Sequence, residues 1–194
     1  MNFLDSESLS DLRRFLERGE RIGASSVRLQ ALGAVLVSTV PVLAPKGLGD
    51  STPLILGLRT QAIGPGEDRD VVVSIRSVRE RIARMESAQE LALDWPPVTL
   101  TESWAGMAPP QRGWERSGTV PVSEVAERAD AVLAPLAQFT TTQPEAVLQS
   151  ALRADAHAPL GPAGVAAAAQ TLGFLVGSEP AVLARAARWS RLST

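Results

Sequence analysis

Between residues 25 and 75, apolar and polar positions follow the period of a strand rather than that of a helix. Val27, Leu29 and Ala31 alternate with Ser26, Arg28 and Gln30, which predicts a half-buried strand. After Gly33, a bulge or a turn, the run over 34–44 is apolar on both faces, as a strand in the middle of a covered sheet would be. Pro41 sits awkwardly there, because it has no N–H to give to a ladder. Leu54, Leu56 and Leu58 share one face of a third run while Arg59 and Gln61 point the other way. GPGEDRD is a turn, and Val71, Val73 and Ile75 mark a fourth strand. These connections are too short for parallel crossovers, so an antiparallel meander is expected.

Around this sheet the period changes to that of helices. Leu9, Leu12 and Leu16, with Phe15 beside them, predict an amphipathic helix over 7–18, capped by Ser6, Ser8 or Ser10 and stopped by Gly19. Val78, Ile82 and Met85 predict a second, with an arginine-rich outer face that a solvated surface explains. The segment 91–118 loses all periodicity and carries three of the four tryptophans; within it only VTLTES has the composition of a strand. Helical order returns over 122–139, over the segment opened by Thr142 and Pro144, and after 161–164. Trp189-Ser-Arg-Leu alternates, so 181–194 is read as a closing strand rather than a helix. The fold class is therefore α+β: an antiparallel sheet of about four strands, a C-terminal strand added to it, and helices packed over both. Residues 1–194 are drawn as one domain, made of 1–90, the irregular 91–118 and the mainly helical 119–194.

Composition narrows the chemistry. The chain has 194 residues, 45% of them hydrophobic, enough to bury a core without disulfides. A net charge of −2 lacks the footprint of a nucleic-acid binder, so no nucleic acid is expected as partner. Cysteine is absent and His157 is the single histidine, which removes thiolate nucleophiles, most catalytic triads and histidine-pair metal sites. No metal and no cofactor are expected. Lys46 is the one lysine, Asn2 the one asparagine, and tyrosine is missing, a joint bias that GC-rich codon usage accounts for. The uncharged stretch 29–45 is shorter than the roughly 20 residues a membrane helix needs, and Gly33 and Pro41 interrupt it. The opening MNFLDSESLSDLRRFLERGER lacks the order of a signal peptide, so no membrane and a cytoplasmic location are expected.

The tryptophan segment is the leading candidate for function. Trp95, Trp104 and Trp114 stand beside stiffening prolines, with Glu102 and Arg112 near them, as a platform for a sugar, a nucleobase or a proline-rich peptide would require. The competing explanation is that the rings pin an irregular loop to the core. Asp68 and Asp70 read as a solvated turn, Asp94 and Glu102 need not converge, and His157 suits a helix end. Gly161 to Gly164 lacks the lysine and the preceding strand of a phosphate loop. Arg185, Arg188 and Arg191 make a small local basic patch.

GLRTQAI, WAGMAPPQRGWERSG and RWSRLST, with the run VPVLAPKGLGDSTPLILGLR, resemble an uncharacterised family of actinobacterial proteins with no known activity. The resemblance implies that relatives continue past RLST with a further strand; it brings no catalytic residue. Two function classes follow. The first is a non-catalytic binding or interaction domain whose contact surface is the Trp/Pro/Arg segment, serving a protein or small-molecule partner. The second is a small-molecule enzyme with carboxylates and arginines near that segment. The thin catalytic inventory favours the first. A homo-oligomer stays open.

Overall fold

The computed structural model describes residues 1–47, 49–137 and 164–194. The fold is α+β, and its contacts gather into two compact units: Met1–Val42 with Leu56–Gly106, and Leu43–Ile55 with Met107–Thr194. The division passes through the segment 91–118, which the sequence reading kept inside a single domain.

In the first unit, α1 (Ser6–Arg21) starts from Asp5, whose Oδ1 accepts the Ser8 N–H at 2.6 Å. That bond holds the Asp5 carboxyl below its ordinary range. The cap is thus the aspartate and not one of the serines, since a carboxylate makes the stronger, charge-assisted bond. Gly19 does not stop the helix. It is buried within it, with the side chains of Val40 and Ile75 just beyond the place a Cβ would take.

Four strands follow: β1 (Ser26–Leu32), β2 (Val35–Leu43), β3 (Ile55–Ala62) and β4 (Arg69–Ser74). Their order is β3-β2-β1-β4, with β1 antiparallel to both β2 and β4. The first three strands meander. The fourth crosses back to the far side of β1, so β1 and β2 become the central strands, as the doubly apolar run over 34–44 required. Gly33, at φ 60°, opens the two-residue turn between Leu32 and Val35, a backbone state that glycine enters without strain.

Ile75 was expected at the end of the fourth strand. It is instead the first residue of α2 (Ile75–Ala88), and its N–H donates to the Ser25 carbonyl at 3.0 Å. Strand and helix join without a loop, so the period of two runs straight into the helical stripe of Val78, Ile82 and Met85. Leu12, Leu16, Val27, Leu29, Leu36, Val40, Val73 and Ile82 are fully buried and form the core on the helix side of the sheet.

The second unit has its own sheet: β5 (Glu115–Val120), β6 (Ala181–Ala186) and β7 (Trp189–Ser193), antiparallel in that order. Two helices, α3 (Val122–Ala137) and α4 (Gly164–Thr171), cover one face. Val120, Val125, Ala129, Ala166, Ala169 and Ala181 make the core, with Phe174, Leu175, Leu183 and Leu192 packed against it. The C-terminal strand expected from alternation exists as the hairpin β6–β7, but it pairs with β5 and not with the first sheet. The helix expected after Thr142, His157 and residues 161–163 lie outside the described residues. Among the described residues no helix is long and apolar enough to cross a membrane.

Candidate functional site

The tryptophan segment is held at its start and middle by main-chain bonds of the first unit. Leu93 N–H donates to the Met1 carbonyl, and the Met1 ammonium donates to the Leu93 carbonyl. Further along, the Leu100 N–H donates to Val72 of β4 at 2.8 Å. VTLTES was expected as a strand; apart from this one bond the segment does not join the ladder, and Val98 stands 70% exposed. Pro96 and Pro97 just before it have no N–H to offer, which leaves too few donors in a row to extend the sheet.

A side-chain network fixes the next turn. Arg28 of β1 forks onto Asp70 of β4, Nε to Oδ1 at 2.8 Å and Nη2 to Oδ2 at 2.6 Å, while Gln30 donates to the same carboxylate at 3.0 Å. The third guanidinium edge donates to the Ala105 carbonyl at 3.0 Å, within a short 3-10 turn, Ser103–Gly106. The Arg28 hydrogen bond is the main reason that the Asp70 carboxyl titrates below its ordinary range, and Arg28 is correspondingly raised. Sequence reasoning placed Asp70 in a solvated turn. Its position in β4, directly opposite Gln30, was legible only in the alternation of Arg28 and Gln30 against Asp70 and Val72.

The five residues singled out from the sequence fall into two groups. Trp95, Glu102 and Trp104 belong to the first unit, Arg112 and Trp114 to the second. Trp104, in the 3-10 turn, is only 4% exposed, and its buried Nε1 has no hydrogen-bond partner among the described residues. Its ring anchors the turn. Trp95 is half-buried, with the Arg69 guanidinium 5.0 Å from its ring centroid. Glu102 is half-buried, and its carbonyl accepts the Ala105 N–H. Arg112 is exposed. Trp114 is half-buried; its Nε1 donates to the Pro110 carbonyl at 2.7 Å, and Arg191 lies over the ring at 4.6 Å. Arg69 and Arg191 were not among the expected site residues, because their partners are distant in sequence. Among the described residues no three acidic or histidine side chains group as metal ligands would.

Residues 1–106 match the family described as Domain of unknown function (DUF8010). The chain belongs to that family. Residues 109–194 match a second, Domain of unknown function (DUF8185), so this DUF8010 member passes from one family to the other just where the contacts divide, between Gly106 and Met107. No curated protein and no solved structure matches the chain. The DUF8010 part carries the Arg28–Asp70 network with Trp95 and Trp104, and the DUF8185 part carries Trp114 with Arg191.

Proposed function

We propose that this chain is a non-catalytic binding module that receives a small molecule or a protein partner on a guanidinium-backed tryptophan, Trp95 with Arg69 in the first unit or, as a separate surface, Trp114 with Arg191 in the second. One observation carries the reading: both rings are clamped by a cation on one face, yet neither is fully buried. A stacking platform needs that rigidity, since an unanchored ring would lose more entropy on binding. Glu102 and Arg112 supply polar groups along the same segment, and Trp104 holds its turn. The proposed setting is cytoplasmic.

The enzyme reading has less support. Asp70, the carboxylate tied most closely to the segment, is neutralised by Arg28 and held ionised, which suits a structural tie better than a general acid near pH 7.

Acrylamide quenching of tryptophan fluorescence, on the wild type and on Trp95→Phe and Trp114→Phe, tests the proposal. Both variants are expected to lose a quenchable component. Shielding of both rings in the free protein would overturn it.

A further inference from the structure

The face of the second sheet turned away from α3 and α4 is organised differently from the rest of the molecule. Ala181 and Leu183 of β6 belong to the helix-side core, so Ala184 and Ala186 alternate with them onto the outer face. Ala184 pairs with Arg116 of β5 on one side and Arg191 of β7 on the other. One rung further, Ala186 pairs with Trp189, and Trp114 precedes β5 on the side of Arg116. The Arg191–Trp114 stack confirms that these side chains share one face. Ala184 and Ala186 are 4% and 7% exposed, small residues overhung by large neighbours.

Arg116 reaches this face through an irregularity. Strict alternation from Val120 and Gly118 would turn residue 116 toward the helices. The register shifts between Arg116 and Gly118, and this bulge at Ser117 sends Arg116 to the outer face instead. Bulges of this kind re-aim a side chain, often beside a site. The bulge here puts a second cation across from Arg191. Among the described residues neither arginine is paired with a carboxylate, and both are exposed. Two like charges set on one rung with no counter-charge favour an anion between them.

From this we infer that the outer face of the second sheet binds a small phosphate ester carried on a planar ring. The phosphate is held at the exposed guanidinium ends of Arg116 and Arg191, above the side chains that cover Ala184, and the ring lies one rung along, against Trp189. Two strand spacings of about 4.8 Å separate the arginine backbones, within reach of two long side chains converging on one oxyanion. Arg191 uses its face on Trp114 and keeps its in-plane N–H fork for the phosphate. The next rung is roughly 7 Å away, a span comparable with that from phosphate to base in a nucleoside monophosphate. A face two rungs long, in a chain of net charge −2, suits one such molecule rather than a polyanion.

The inference rests on the binding-module reading and names its ligand class. Isothermal titration of the full chain with inorganic phosphate and with adenosine monophosphate tests it. Both are expected to bind saturably, the nucleotide about tenfold more tightly because of stacking. Arg116→Gln and Arg191→Gln each weaken both ligands about tenfold, and Trp189→Ala weakens only the nucleotide. Arg185→Gln, on the opposite face of β6, leaves both unchanged. Absence of saturable binding, or equal losses in Arg185→Gln and Arg116→Gln, overturns the inference. Equal affinity for phosphate and nucleotide overturns the role given to Trp189. Quencher-accessible rings without phosphate binding would sink this inference and leave the binding-module reading standing, whereas shielded rings would remove the basis of both.

Discussion

Arg59 of β3 points beneath α1 and forks onto Asp11, Nε to Oδ2 at 2.8 Å and Nη2 to Oδ1 at 2.7 Å. Gln61 joins the same carboxylate at 3.4 Å and accepts from Ser38 at 3.3 Å, so a polar seam runs between helix and sheet. The leucines of this strand face the other way, and Leu58 is 44% exposed. Asp11→Asn takes the charge out of this fork and is expected to lower stability by about 1–2 kcal/mol, a value already reduced for the partial solvent exposure of the pair. Urea unfolding at pH 7 measures it.

The same carboxyl makes the effect depend on pH. Burial pushes the Asp11 pKa up, but the hydrogen bonds and charge of Arg59, with Gln61 and Arg14, outweigh it and leave the group below 3.8. A lowered folded pKa means stability present above the unfolded value and lost as the pH falls through the folded one. The gap between wild type and Asp11→Asn is therefore expected to hold from pH 7 to about pH 5 and to close below about pH 4. Paired unfolding curves across that range check it.

Arg28 ties the 3-10 turn to the sheet through Ala105. Arg28→Ala is expected to cost about 1–3 kcal/mol and to raise amide exchange at Ala105, with little change in the core of α2. Arg28→Lys should rescue only part of this, since a single ammonium cannot serve Asp70 and Ala105 together in a fork. Hydrogen exchange by mass spectrometry separates the local from the global effect.

Trp104 offers a sharper contrast. Trp104→Ala removes a fully packed ring and is expected to cost about 3–5 kcal/mol. Trp104→Phe loses part of that ring but also removes a buried N–H with no partner among the described residues, so it should stay within about 1 kcal/mol of the wild type. Thermal and urea denaturation of the two variants side by side would show whether the buried N–H carries a cost.

Gly19 is helical and its neighbours stand 3.5 Å or more from an added Cβ, at ordinary contact distance. Gly19→Ala is expected to stabilise by about 0.5–1 kcal/mol through the smaller entropy loss on folding. A fall in melting temperature would mean that α1 packs too closely on Val40 and Ile75 to admit the added methyl.

Much of the first unit was legible in the chain because each local signal agreed with its tertiary setting. Val27, Leu29 and Ala31 are buried and Val78, Ile82 and Met85 line one helix face, as their spacing indicated. Signals failed where a distant partner decided. Asp70 looked like loop chemistry until Arg28 and Gln30 were placed across from it. Glu115–Val120 contains charge, serine and glycine and carries no strand composition of its own; it is a strand because β6 supplies the ladder. The candidate site shows the same split. The tryptophans were visible in sequence, whereas the arginines laid on them, 26 positions from Trp95 to Arg69 and 77 from Trp114 to Arg191, were set only by the fold.

The alanine-built core of the second unit has a consequence for how its sequence can drift. Where methyl groups set the distance between α3, α4 and the sheet, removing one frees little volume, while adding one has nowhere to go without spreading the layers. Tolerance at Ala129, Ala166, Ala169 and Ala181 is thus one-sided. Over many generations the inner face of β5–β7 behaves as a ratchet that admits smaller residues and turns back larger ones.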